Sequence, residues 1–226
     1  MILLLLACVG DKGDGTETGE TGDTGVEDLR LCGDWDRGDR QGASWTWAYD
    51  DDATWPGGWT TTVTDSFEED GRTFFVHTTE GVAEPPGRLD YWWTYVAHYT
   101  CDEGLITQWW GNAYTYDLQD DGVALESEYN YIYDEGYVVR PIELEVGSTW
   151  TSGGHRRVED ASDGGVIVDD IKTKDWEVLS ASTVSVPAGD FDSLRATDGE
   201  GFVHVVRDVG FVRWEGFSWL LSTDGL

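Results

Sequence analysis

Residues 90–101 read DYWWTYVAHYTC, and this segment determines the fold class. In an extended chain, successive side chains point to opposite faces. Tyr91 and Trp93 therefore share one face, while Trp92 and Thr94 share the other. Aromatic and β-branched residues at this density are typical of a β-strand with at least one buried face. The segment predicts a strand that organises its neighbours into a sheet.

The same pattern recurs along most of the chain, and short segments rich in acids and glycine separate its copies. No run of 12 or more residues has a helical period. We therefore predict an all-β domain over residues 29–226, with one curved antiparallel sheet of about 11–13 strands in a half-barrel or sandwich-like meander. The turns between strands are predicted at residues 68–71, 102–104, 120–122, 134–136 and 187–189.

The N-terminus has a different character. Residues 2–7 are apolar and lead to Cys8, and the Leu5-Leu6-Ala7-Cys8 run resembles a bacterial lipobox. The resemblance implies a diacylglyceryl group on the Cys8 thiol and cleavage before this residue. Because residues 1–7 are too short for a complete export signal, we interpret them as a truncated signal segment whose true start lies upstream. Val9 follows the cysteine, which by resemblance to the enterobacterial sorting rule implies the outer membrane.

Residues 8–28 contain three acid-Thr-Gly repeats and almost no apolar side chains. Such a segment cannot bury enough apolar surface to fold. We predict a lipid-anchored, disordered, acidic linker between the membrane and the β-domain.

The formal net charge is −31. A field of this sign repels nucleic acid and anionic head groups, so we exclude nucleic acid as a partner. It favours solubility and attracts divalent cations.

The chain has three cysteines. If Cys8 carries lipid, Cys32 and Cys101 remain, and an exported protein meets an oxidising compartment. We predict a disulfide between them; the alternative is two buried free thiols.

No recognised catalytic motif occurs, and the four histidines are scattered. We therefore predict a protein that is not an enzyme and needs no cofactor, with a hydrolase as the alternative. Asp34, Asp36 and Asp39 place several carboxylates in a short glycine-containing loop. Carboxylates suit Ca²⁺, but the spacing does not match an EF-hand, so the calcium site is a weak candidate beside solvated acids.

Two adjacent tryptophan pairs, Trp92-Trp93 and Trp109-Trp110, are the candidate ligand-binding residues. Alternation places one ring of each pair on each face of the sheet. Exposed rings beside acids and hydroxyls would suit a glycan. A curled sheet could instead hold an acyl chain, or both faces could simply be packed.

The C-terminal third resembles a group of uncharacterised β-rich bacterial lipoproteins. The similarity covers residues 141–215, with PIELEVGSTW at 141–150, VSVPAGDFDSLR at 184–195 and VVRDVGFVR at 205–213. These proteins are distantly similar to the half-barrel lipoprotein carriers LolA and LolB. The resemblance implies a fold rather than an activity.

Together these features predict a membrane-anchored protein of the cell envelope with a non-catalytic, structural or ligand-binding role. One alternative is a half-barrel carrier of lipid or another apolar ligand. The other is a glycan-binding β-domain that uses exposed tryptophans.

Overall fold

The computed structural model describes Cys32 and residues 38–49, 57–83 and 88–224. This part of the chain is all β-structure, and it contains no helix long and apolar enough to cross a membrane. The strands, in chain order, are β1 Ser44–Tyr49, β2 Gly57–Glu69, β3 Arg72–Ala83, β4 Arg88–Asp102, β5 Leu105–Gln119, β6 Ala124–Pro141, β7 Thr149–Asp160, β8 Val166–Val186, β9 Gly189–Thr197, β10 Phe202–Val206, β11 Gly210–Trp214 and β12 Ser218–Asp224.

The twelve strands form a closed barrel. Each strand pairs antiparallel with the next one in the chain, and β1 pairs with β12 to close the sheet. The predicted antiparallel meander of 11–13 strands is confirmed, and the curvature goes as far as full closure. A closed sheet leaves no edge strand with unpaired backbone groups. The predicted linker at residues 8–28 and the signal segment at 1–7 lie outside the described residues.

Two hairpin turns follow directly from local chemistry. Asp70-Gly71 joins β2 to β3 and Glu103-Gly104 joins β4 to β5, and all four residues have positive φ. Positive φ at both central positions defines the type I′ turn, which matches the twist of paired strands. The predictions at 68–71 and 102–104 are therefore confirmed.

The turn predicted at 134–136 is wrong. Strand β6 runs through this segment, but its pairing stops after Ile132 and resumes at Tyr137 with β5 and at Val138 with β7. Gly136 has a φ of 80°, and a Cβ at this position would lie 2.5 Å from a methyl group of Thr107. The glycine permits a bulge where two strands approach closely, rather than a chain reversal.

The interior is packed differently in its two halves. Between β4 and β6, aromatic side chains fill the space: the Tyr95 and Tyr131 rings lie 5.4 Å apart, and Gln108 donates a hydrogen bond to the Tyr95 hydroxyl. Burial raises the pKa of Tyr95 far above its usual range.

Aliphatic side chains, most of them from β8–β12, build two buried clusters in the other half. The first comprises Ala43, Trp45, Val63, Val184, Val206, Val209, Val212 and Leu220. The second comprises Leu144, Val178, Leu194, Ala196, Val203 and Val205. Trp47 packs against the first cluster, whereas Trp150 and Trp176 pack against the second.

A disulfide joins Cys32 to Cys101 at the end of β4, with the two Cα atoms 4.9 Å apart. The predicted pairing is confirmed. Cys32 is 1% exposed, and its backbone N–H donates to the Asp39 carboxylate at 3.0 Å. The bond thus fixes the chain segment before β1 to the barrel wall.

We predict that the double variant Cys32→Ser/Cys101→Ser loses about 2–5 kcal/mol of unfolding free energy, because the disulfide constrains the unfolded chain. Urea denaturation of the oxidised protein and the variant measures the difference. A reductant should destabilise the wild type and leave the variant unchanged. Equal midpoints for the variant and the oxidised wild type would contradict a stabilising bond.

Candidate ligand-binding cavity

A cavity of about 460 Å³ lies on the side of the barrel where β1 and β2 approach β6–β8 and β10–β12. Aromatic side chains make up most of its wall. The described residues that line it are Trp47, Trp59, Thr61, Tyr137, Val139, Trp150, Ser152, Trp176, Val203, Phe211, Arg213, Trp214, Phe217 and Ser218. Ligand pockets in proteins typically have volumes of roughly 300–1,000 Å³.

Two stacked tryptophan pairs form much of this wall. Trp47 and Trp59 are cross-strand partners on β1 and β2, with ring centroids 5.8 Å apart and planes 9° apart. Trp150 and Trp176 are partners on β7 and β8, at 5.7 Å and 6°. Directly opposite residues on neighbouring strands place their side chains in contact, so the register of these hairpins creates both stacks.

The indole N–H groups of the second pair are already bonded within the protein. Trp150 donates to the Val139 carbonyl at 3.1 Å, and Trp176 donates to the Ser152 hydroxyl at 2.9 Å. These rings therefore offer carbon surface to the cavity, with no free donor.

Aromatic rings also mark where the cavity meets solvent. Phe217 contacts the rings of Trp59 and Trp214 at 6.1 and 5.7 Å. Phe217 is 45% exposed and Trp214 is 43% exposed. Half-exposed rings that also line the cavity define its opening.

A smaller cavity of about 280 Å³ adjoins the larger one. It shares Trp47, Val139 and Phe211 with the larger one and reaches His77 and Tyr99. His77 is bonded through Nε2 to the Gly38 carbonyl at 2.8 Å. An elongated apolar molecule could therefore extend beyond the first chamber.

Of the tryptophans proposed from sequence, Trp92 and Trp93 border a second groove of about 570 Å³, which shares Trp47 and Trp59 with the cavity. The Trp92 ring stacks on Tyr116 at 5.6 Å, while Trp93 packs against Gly81, where a Cβ would lie 2.3 Å from the indole. None of the four predicted tryptophans is among the described residues that line the 460 Å³ cavity. A ligand role for them stays a prediction.

The expectation that Trp109 and Trp110 occupy opposite faces is wrong. Trp109 donates to the Thr100 hydroxyl at 2.9 Å, and Trp110 stacks on His98 at 4.5 Å. His98 and Thr100 are two residues apart on β4 and share a face. The register between β4 and β5 shifts between His98 and Tyr99, so that Trp109 is an extra residue in β5 and both rings turn to the same side.

The other predicted sites are only partly within the described residues. Cys8, Asp34 and Asp36 lie outside them, so the lipid anchor and the calcium site stay predictions. Asp39 accepts the Cys32 N–H. Within the described ranges, no group of three or more potential metal ligands is found.

One row of hydrogen-bonded side chains has the composition of a catalytic triad. The Ser193 hydroxyl lies 3.1 Å from His204 Nδ1, and His204 Nε2 lies 2.9 Å from Glu215. Ser193 is 3% exposed, and its hydroxyl donates to the Ser182 carbonyl at 2.9 Å. Because the Ser193 hydroxyl is buried and already donates a hydrogen bond, we interpret these hydrogen-bonded side chains as a structural link between β8, β9, β10 and the end of β11.

Glu215 is the last residue of this hydrogen-bonded link. Arg195 donates to it through Nε at 2.9 Å and through Nη2 at 3.2 Å. Hydrogen bonds from Arg195 and His204 lower the pKa of the Glu215 carboxyl from 4.5 to about 2. The ionised form is therefore the one that the folded protein stabilises.

No family model and no curated protein matches the chain. Among solved structures, it is similar to a "putative lipoprotein" from Parabacteroides distasonis ATCC 8503, with 12% identity and a TM-score of 0.43. The match covers 82% of this chain and 96% of that chain. The similarity is distant.

We predict that Glu215→Gln lowers the melting temperature at neutral pH and that the difference from wild type shrinks as the pH falls toward 2. A carboxyl with a depressed pKa stabilises the fold above its unfolded pKa and loses this effect as it is protonated. Thermal unfolding between pH 2 and pH 7 measures the profile. Glu135→Gln, at an exposed position, is the charge-matched control. A pH-independent difference would contradict the role of ionised Glu215.

Proposed function

We propose that this chain is a non-catalytic lipoprotein of the bacterial cell envelope whose barrel binds an apolar ligand. Acylated Cys8 anchors it, at the outer membrane, and the acidic linker at residues 8–28 holds the barrel away from the bilayer. The observation that carries the binding role is the 460 Å³ cavity with its two stacked tryptophan pairs.

The chemistry of the wall favours an apolar ligand over a sugar. A glycan needs many hydrogen-bonding groups for its hydroxyls, whereas Thr61, Ser152 and Ser218 are the only hydroxyl-bearing aliphatic side chains among the described lining residues. Ser152 already accepts the Trp176 N–H. An apolar body would gain from burial against the rings.

The groove beside Trp92 supports glycan binding as a second candidate. Its wall includes the hydroxyls of Thr46, Thr60 and Thr94 and the carboxylate of Glu80. A ring flanked by such groups could stack on a sugar while they bond its hydroxyls.

The case for an envelope location comes from the sequence and the cysteines. Leu5 and Ala7 fit the lipobox before Cys8. The disulfide between Cys32 and Cys101 is of a kind that persists in oxidising compartments. Mass spectrometry of protein from its native host tests the anchor, since a cleaved chain that begins with acylated Cys8 is expected, and an unmodified Cys8 contradicts it.

We predict that the neutral dye N-phenyl-1-naphthylamine binds the wild type and that Val203→Trp weakens binding about tenfold or more, because the larger side chain occupies the cavity. Val203 lines the cavity and is 2% exposed. Titration of dye fluorescence gives both dissociation constants.

Leu179→Trp is the matched control, since Leu179 is 40% exposed and does not line the cavity. It should bind the dye as the wild type does. Circular dichroism verifies that both variants keep the β-fold. Equal affinities for a folded Val203→Trp variant and the wild type would place the dye elsewhere and contradict the proposal.

A further inference from the structure

The two stacked tryptophan pairs lie on opposite walls of the barrel. In the closed order of strands, β3–β6 separate the Trp47–Trp59 pair on β1 and β2 from the Trp150–Trp176 pair on β7 and β8. In the other direction around the barrel, β9–β12 separate them. Because both pairs line the same 460 Å³ cavity, this cavity spans the barrel from one pair to the other.

All four indole rings are on the interior face of the sheet. Trp47 packs against the first aliphatic cluster, whereas Trp150 and Trp176 pack against the second. Trp59 is the cross-strand partner of Trp47 and stacks on its ring. Directly opposite residues on neighbouring strands share a face of the sheet, so Trp59 also faces inward.

The rest of the cavity wall is mostly aromatic and stiff. The remaining aromatic lining residues are Tyr137, Phe211, Trp214 and Phe217. Val139 and Val203 supply the only aliphatic hydrocarbon side chains among the described lining residues, which include no Leu, Ile or Met. Aromatic and β-branched side chains have few rotamers, so this wall adapts poorly to a flexible chain.

Opposed aromatic walls favour a ligand that is itself flat and aromatic. Aromatic rings attract one another in offset-stacked and edge-to-face geometry, which adds about twofold to tenfold in affinity beyond the burial of apolar area. A planar ring system can contact one tryptophan pair with each of its faces. It also loses little internal rotation on binding, whereas an acyl chain loses much more.

We propose that the ligand of this cavity is an apolar molecule with a planar, fused aromatic ring system. The ring system lies between the Trp47–Trp59 pair and the Trp150–Trp176 pair. This inference rests on the proposed apolar-ligand function and adds the chemical class of the ligand.

The first test uses the wild type and compares 2-naphthol with decahydro-2-naphthol. The two compounds have the same carbon skeleton and one hydroxyl group, but the first is flat and aromatic and the second is puckered and saturated. Each competes with N-phenyl-1-naphthylamine, and displacement is followed by calorimetry because 2-naphthol is itself fluorescent. We expect 2-naphthol to bind about threefold or more tightly than its saturated counterpart.

A variant tests whether the opposed pairs cause this preference. Trp176→Leu removes one ring from the wall and keeps the position apolar, so we expect the affinity ratio of the two compounds to fall by about twofold or more. Trp219→Leu is the matched control, because Trp219 lies on β12 and does not line the cavity. It should leave the ratio unchanged. Circular dichroism verifies that both variants keep the β-fold, and the comparison on the wild type stands if Trp176→Leu does not fold.

The outcomes separate this inference from the function beneath it. If the dye binds the wild type but 2-naphthol binds no more tightly than decahydro-2-naphthol, the planar ligand is overturned while the apolar cavity stands. An unchanged ratio in a folded Trp176→Leu variant also overturns it. Displacement of the dye by 1-decanol but not by 2-naphthol would indicate an acyl chain instead. If the dye does not bind the wild type, both proposals fail.

Discussion

The pairing of β1 with β12 is the interaction on which the rest of this structure depends. It converts a meander of consecutive hairpins into a closed barrel, so every strand has two neighbours. It also brings Trp47 and Trp59, from the beginning of the sheet, beside Phe217 and Ser218, from its end, along one cavity wall. Without closure the two tryptophan stacks would lie on separate parts of an open sheet. The cavity is therefore a product of topology as much as of composition.

Closure does not by itself produce a cavity, because side chains can fill a barrel completely. Here the filling is uneven. Tyrosines such as Tyr95 and Tyr131 occupy the interior near β4–β6, while aliphatic clusters from β8–β12 occupy the opposite half. The space that remains is bounded by flat rings, and the N–H groups of two of them, Trp150 and Trp176, are bonded to the protein.

The sequence predicted what local chemistry determines. Asp70-Gly71 and Pro187-Ala188-Gly189 form turns as expected, because the positive φ of Gly71 and Gly189 suits glycine. Alternation identified the strands, and the cysteine count identified the disulfide. The turn predicted at 134–136 was wrong because a glycine with positive φ occurs in bulges as well as in turns. The cavity was not predictable, since Trp150 meets Trp176 only through the register of β7 and β8, and no local pattern encodes register.

If the chain is held at its N-terminus, as proposed, the disulfide has a mechanical consequence. Residues before Cys32 connect to β1 through the backbone, but Cys32 is also bonded to Cys101 at the end of β4. A pull on the N-terminal segment is therefore delivered to β4 through a covalent bond. Strand β1 would otherwise take this load first, and because non-covalent contacts alone hold it to β2 and β12, it would be pulled away one residue pair at a time. The disulfide therefore keeps this tension away from the β1–β12 pairing that closes the barrel.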